Sequence, residues 1–288
     1  MFAALPPTDQ FGVLQACWRF FVLGVVQGLT EFLPISSTAH LKVVPVLLGW
    51  GDPGVAVTAV IQLGSILAVV AFFRDDLRQV LAGVSHGLRQ RRWDDPQARL
   101  GLAIGLGTIP ILIGGLAIKL CVPDFDQSPL RSLTSIALVS IVMALLLALA
   151  ERIGTRRRLL QQVSIRDGLW VGLAQALALI PGVSRSGSTL TASLFDGWQR
   201  ADAARFSFLL GIPAIAIAGL VELKEAFTQP VAGGVLPLLV GIATSALVSW
   251  LAIAWLLRFL QHHSTWWFVG YRLFFGLGLL LWVGRLAP

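Results

Sequence analysis

Glutamate is scarce in this chain, and of Glu31, Glu151, Glu222 and Glu225 only Glu31 lies well inside an apolar stretch. An ionised group at the centre of a bilayer costs roughly 2.5–3.5 kcal/mol or more, so such a residue is a functional candidate by default. Gln27 stands four residues earlier and therefore on the same helical face. After Pro34 come Ser36, Ser37, Thr38 and His40. A helix restarting near Pro34 would bring His40 within a turn of Ser36 and Ser37, an imidazole near a hydroxyl, as nucleophile–base chemistry requires. The free amides of that helix start would also accept a phosphate. A second cluster sets Arg185 among Ser184, Ser186, Ser188 and Thr189. Its guanidinium offers a permanent charge and a planar donor fork suited to phosphate oxygens. Ser184, Ser186 and Thr189, with nearby amides, could complete an anion cradle. Plainer readings stand beside these: the serines as helix caps, His40 as a packed histidine, Glu31 and Arg185 as an ion pair that only fixes helices.

Both clusters interrupt long apolar regions, at about 12–48 and 168–195. Pro34 and Pro181 disfavour helix at the preceding residue, while Ser and Thr suit the start of a new one. Each region thus reads as helix, break, helix. Non-helical backbone survives at membrane depth only where protein or a wet cavity surrounds it, so both are expected as re-entrant hairpins. Uninterrupted spans are predicted at about 57–73, 100–118, 133–150, 206–222, 235–257 and 267–286. Across all 288 residues, 56% are apolar and 13% charged, and the mean hydropathy is +0.79. A soluble domain carries about 25% charge. Soluble, disulfide-stapled and disordered classes are therefore excluded. The predicted fold is an all-α polytopic membrane protein, one integral membrane domain with six transmembrane helices plus two re-entrant helix hairpins.

The net charge of +7 and pI of 10.6 fit basic cytoplasmic loops better than nucleic-acid binding. Residues 74–99, 151–166, 196–205 and 258–263 carry fourteen cations, against four (Lys119, Arg131, Lys224 and Arg285) on the other side. If the broken regions return to the side they entered, this split alternates across all six spans and places both termini outside. Sliding the chain by 148 residues lays Gly24 on Gly172, Gln27 on Gln175 and Ser36 on Ser184. Inverted-topology repeats, roughly 12–118 and 133–286, are expected from this. The N-terminal MFAALPPTDQ lacks a basic region, so a cleaved leader is not expected. Cys17 and Cys121 are isolated and indicate neither redox chemistry nor zinc. His86, lying in the Arg-rich 74–99 loop, and His262 and His263 at a span end are expected at solvated or headgroup positions. No GxxxxGK[ST], HExxH or EF-hand pattern is present, which leaves nucleotide-driven chemistry without support.

Four stretches, GVVQGLTEFLPISSTAHL at 24–41, VIQLGSILAVV at 60–70, LALIPGVSRSGST at 177–189 and FSFLLGIP at 206–213, closely resemble the bacterial undecaprenyl-diphosphate phosphatases of the BacA type, linked to bacitracin resistance. The resemblance implies hydrolysis of the C55 isoprenoid diphosphate to its monophosphate, the lipid carrier recycled for peptidoglycan synthesis at the bacterial inner membrane. By position, the family's acidic motif falls on Gln27 and Glu31, its Ser/His segment on Ser36, Ser37 and His40, and its PGxSRSxxT motif on Ser184, Arg185, Ser186 and Thr189. Many members have Glu where this chain has Gln27, which removes one acidic metal ligand. The resemblance further implies a divalent cation (Mg²⁺ or Ca²⁺) near Glu31 and Gln27, held in part by the diphosphate. It also implies a homodimer, with the site opening to the periplasm. The expected partners are the polyprenyl diphosphate and membrane lipids, with no nucleic acid. In the expected mechanism Arg185, with Ser36, Ser184, Ser186 and Thr189, binds the phosphates. Ser37 is the nucleophile and His40 its base or the proton donor, with direct attack by His40 or water left open. The rival from another class is a lipid flippase without hydrolysis, since broken helices in inverted repeats also build transporters.

Overall fold

The computed structural model describes residues 12–122, 125, 128–226 and 234–286, and for 55, 56, 221–226 and 286 the backbone only. The leader expectation at 1–10, and the side chains of Glu222, Lys224 and Glu225, lie outside the described residues. The described chain is all-helical: α1 (Val13–Thr30), α2 (Ser37–Leu47), α3 (Gly54–Phe72), α4 (Arg74–Gln90), α5 (Pro96–Cys121), α6 (Leu133–Ile153), α7 (Ile165–Ala176), α8 (Arg185–Phe195), α9 (Arg200–Ala226), α10 (Val235–His262) and α11 (Trp266–Leu286). Six of these, α1, α5, α6, α9, α10 and α11, are long and apolar enough to cross a bilayer, and α3 with α4 forms a bent pair at 68°.

Two elements differ from the sequence expectation. First, α1 runs unbroken for 18 residues. At 1.5 Å per residue that is about 27 Å, close to the roughly 30 Å of a hydrocarbon core. Pro34 stops the helix only after this full span. By contrast α2 and α8 have 11 residues each and α7 has 12. At about 16–18 Å they are too short to cross. Second, the Arg-rich segment expected as a loop is largely the helix α4. Its Val80, Gly83 and Gly87 are buried while its arginines face outward. Asp75 and Asp76 in its first turn suit the helix dipole. Arg91, at a φ of 54°, ends it, and Asp95 then caps α5 by accepting from Ala98 N. His86 therefore sits exposed on a helix.

The chain forms two compact units. One gathers the chain up to Leu33, Ser37–Phe72 and Ile215–Trp255; the other gathers Pro34–Ser36, Phe73–Ala214 and the chain from Leu256. In the first, α1 packs on α2 and α3. Phe20, Leu23, Leu41 and Ile61 form its core, with Val26, Val57 and Leu238 against them.

In the second unit α5 packs on α7, and α6 packs on both α8 and α11. The α5–α7 contact is backbone on backbone. A Cβ on Gly172 would meet the carbonyl oxygen of Gly107 at 2.2 Å, and one on Gly168 that of Ala103 at 2.4 Å. Among apolar helices in lipid, close packing of small residues replaces the hydrophobic drive available in water. The unit also holds two ionic clusters. Glu151 takes Arg200 Nε at 3.0 Å, Arg156 Nη1 at 2.9 Å and Thr265 Oγ1 at 2.8 Å. Arg158 grips Asp167 with both ends of its fork, at 2.9 and 2.7 Å, and also donates to Asp196. Burial, the largest single influence, works to raise the Asp167 carboxyl, but hydrogen bonds to Arg158, Asp196 and Ser164 together outweigh it and hold the group below its usual value. Asp196 is pushed up instead, by burial first and then by its neighbour Asp167.

Candidate active site

The first cluster is built where α1 ends. Glu31 follows the last helical residue, its amide still bonded to the Gln27 carbonyl, so its side chain continues the face that carries Gln27. Gln27 Nε2 donates to Glu31 Oε2 at 3.0 Å and to Ser65 Oγ at 3.4 Å. Ser65 in turn shares a hydrogen bond with Ser245 at 3.0 Å and accepts one from Ser249 at 2.8 Å. Ser65, Ser245 and Ser249 are fully buried. A buried polar group is stable only when satisfied, and a connected chain of them fixes its members' rotamers. At the other end of this chain Ser37 Oγ donates to Glu31 Oε2 at 2.7 Å. This short, charge-assisted bond leaves Ser37 half-buried, with its oxygen beside the only carboxylate of the cluster.

The new helix starts later than the sequence implies, at Ser37 rather than near Pro34. Ser36 lies just before it in the left-handed region, at φ 76°. Such a conformation costs a non-glycine residue about 1–2 kcal/mol, and it turns the chain from α1 into α2. His40 falls in the first turn of α2 and is buried, while Thr38 is exposed.

The second cluster repeats this turn. Ser184, at φ 72°, precedes α8 as Ser36 precedes α2. Its hydroxyl caps the helix by accepting from Gly187 N at 3.1 Å and shares a hydrogen bond with Ser186 at 3.2 Å. Arg185 is the first residue of α8. Its carbonyl accepts from Ser188 Oγ at 3.0 Å and Thr189 Oγ1 at 2.8 Å. Thr189 is fully buried and shares a further hydrogen bond of 2.5 Å with Ser207 of α9. Ser184, Arg185 and Ser186 thus gather at the start of α8, while the Thr189 hydroxyl is engaged within the protein.

Sequence reasoning missed Arg272. It lies on α11, is 1% exposed, and spends its guanidinium on four backbone carbonyls. These are Pro34 O at 3.1 Å, Gly182 O at 2.8 Å, Val183 O at 3.1 Å and Ser140 O at 3.3 Å. Pro34 belongs to the first break and Gly182 and Val183 to the second. A helix break leaves carbonyls without amide partners, and five fixed donors on one permanent cation can satisfy several at once. The missed signal is a lone arginine inside an apolar span. Ser65 was missed because a single serine in a span looks like any other small residue. Glu151, assigned no role from sequence, is 2% exposed against 8% for Glu31; its two arginines make it an ion pair rather than a second reactive carboxylate.

Among the described residues no group of three or more His, Cys, Asp and Glu side chains gathers to hold a metal ion. The first cluster offers one carboxylate and one amide, which is a partial donor set for a hard cation.

The chain matches the family described as Bacitracin resistance protein BacA over residues 20–278. It is similar to a protein of Synechococcus sp. (strain WH7803) named undecaprenyl-diphosphatase, 73% identical over 94% of this chain and 95% of that one. Proteins of the same name in Parasynechococcus marenigrum (strain WH8102) and Prochlorococcus marinus (strain MIT 9303) are 69% and 70% identical, over 96% and 94% of this chain and 96% and 92% of theirs. All four stretches that carry the resemblance fall inside the matched region, and the chain belongs to the BacA bacitracin resistance family.

Proposed function

We propose that this chain is an undecaprenyl-diphosphatase, hydrolysing the lipid diphosphate to undecaprenyl phosphate and inorganic phosphate and so returning the carrier to peptidoglycan synthesis. The observation that carries the reading is the 2.7 Å hydrogen bond from Ser37 to Glu31, in a chain about 70% identical to proteins of that name. A general base must lie within about 2.6–3.2 Å of the proton it takes, and Glu31 meets that condition for Ser37.

In this mechanism Glu31 takes the Ser37 proton as Oγ attacks the terminal phosphorus. The Oγ–P bond forms, the P–O bond to the lipid phosphate breaks, and undecaprenyl phosphate departs. Water then cleaves the seryl phosphate: Glu31 returns its proton to Ser37 Oγ as the Oγ–P bond breaks, and the proton released by the attacking water restores His40. Arg185, with Ser36, Ser184 and Ser186, binds the diphosphate oxygens and stabilises the charge that develops on them. Thr189 holds the first turn of α8, and His40 supplies the proton to the leaving group. Gln27 orients Glu31. A divalent cation, when bound, neutralises diphosphate charge; Glu31 and Gln27 are its protein donors, and the substrate holds the rest of it.

The hairpins α1–α2 and α7–α8 are read as re-entrant and as matching parts of two inverted repeats, roughly 12–118 and 133–286. Three features support this: α2 and α8 have equal lengths at a spacing of 148 residues, Ser36 and Ser184 share a positive φ, and Gln27 and Gln175 are both buried. The cation split favours both termini outside, and the family resemblance implies a site open to the periplasm.

The test is phosphate release from C55 diphosphate by the detergent-solubilised protein, with and without chelator. Release without any gradient is expected. No release, with lipid transfer between leaflets of vesicles, would favour the flippase instead.

A further inference from the structure

The turn of α9 that carries Gly211 lies against the start of α8. A Cβ built on Gly211 would stand 1.4 Å from Arg185 Nη1, 2.6 Å from its Cζ and 3.4 Å from its Nη2. Leaving aside the adjoining residues Leu210 and Ile212 and the α9 backbone, these are the three nearest atoms, so the remaining neighbours are at least 3.4 Å away, in ordinary contact. The guanidinium therefore lies on the bare Cα of Gly211, and only the guanidinium depends on that position being glycine. One turn earlier Ser207 bonds Thr189, which in turn donates to the Arg185 carbonyl. The same face of α9 thus meets Arg185 at both ends, its backbone through Ser207 and its fork through Gly211.

We propose that Gly211 is a positioning residue, the floor that sets where the Arg185 fork is held for the diphosphate. The proposal rests on the reading of Arg185 as the phosphate-binding cation. It also gives a physical reason for the FSFLLGIP stretch, whose Ser207 and Gly211 are the two contact points. A methyl group at 211 must push the fork away by roughly 2 Å to restore ordinary atomic separation. It need disturb nothing else, because the end of a long side chain can move. Misplacing a substrate-positioning group by about 1 Å can cost roughly a hundredfold in rate.

The experiment compares Gly211→Ala in two backgrounds, wild type and Arg185→Lys, by phosphate release from C55 diphosphate and by thermal unfolding in detergent. In the wild type, kcat/KM should fall about a hundredfold, with the unfolding temperature no lower than before. In the Arg185→Lys background the same substitution should cost less than about threefold, because no fork is left to displace. A purely structural role would cost the same in both. Wild-type kcat/KM in Gly211→Ala, or equal losses in the two backgrounds, would overturn the proposal. So would a fall in unfolding temperature that persists when Arg185→Ala is combined with Gly211→Ala, since the clash would then lie elsewhere. Near-normal activity of Arg185→Lys would instead sink the phosphate role of Arg185 itself, a separate failure.

Discussion

Ser37 hands its hydroxyl hydrogen to Glu31 at 2.7 Å, and this decides how mutations at the first cluster should read. If the two act as a unit, Ser37→Ala and Glu31→Gln should each abolish most phosphate release, and the double variant should be little worse than the poorer single. Multiplicative losses would mean that Glu31 serves something other than Ser37. Arg185→Lys should also lose most activity despite keeping the charge, because an ammonium cannot reproduce a planar fork on phosphate oxygens. A kcat within a few-fold of wild type would remove the fork from the mechanism. Much of this chemistry was legible from residue types, since an intramembrane Glu, a Ser/His segment and a Ser-flanked Arg are rare in apolar sequence. The geometry was not. Helical periodicity set Ser37 near His40, and both fall in the first turn of α2; it did not show that the turn at Ser36 also brings Ser37 back to Glu31. Arg272 stayed hidden because its partners are main-chain carbonyls, which no sequence pattern records.

At the scale of elements, proline and serine positions gave the helix breaks, and the structure has them at 31–36 and 177–184. The helix α4 was masked by its arginines, although Leu77, Val80, Leu81, Val84 and Leu88 follow a helical spacing. Ion pairs between elements lay beyond sequence reading altogether. The Arg158 cluster ties the loop after α6 to the start of α7 and the end of α8. Since Asp167 is held below its usual value and Asp196 above it, Asp167 keeps its charge on the fork more firmly than Asp196 does. Asp167→Asn should therefore destabilise the protein more than Asp196→Asn. Hydrogen bonds to charged groups are worth about 1.5–3 kcal/mol, and partial exposure of Arg158 places this pair at the low end. A depressed folded value stabilises above the ordinary carboxylate range and loses that contribution as pH falls through it. The gap in unfolding temperature between wild type and Asp167→Asn should accordingly close in acid. A gap of the same size at low pH, or a larger effect at Asp196, would contradict the assignment.

For the whole molecule, composition alone gave the membrane class, and orientation rests on the cation split. Of the cations in that split, Arg156, Arg158, Arg200 and Arg205 are engaged in ion pairs. The positive-inside bias counts Lys and Arg near span ends and gives acidic partners little weight, so pairing does not cancel it. Arg74, Arg78, Arg89, Arg91 and Arg92 lie on or just after α4, whose Leu81 and Leu88 are exposed. An amphipathic helix of this composition lies in the headgroup plane with its cations toward anionic lipid. If α3, 19 residues and about 28 Å long, crosses the bilayer, α4 is expected on the face opposite the loop that carries Asp52. The check is cysteine accessibility. Cys17 and Cys121 are first replaced by serine, and Asp52→Cys or Arg92→Cys is then introduced singly. An impermeant thiol reagent added to intact cells should label position 52 and spare position 92, which should react only after the membrane is opened. Labelling at 92 alone would invert the topology and turn both termini inward. Labelling at both would mean that α3 does not cross, leaving α3 and α4 as a bent pair on one face.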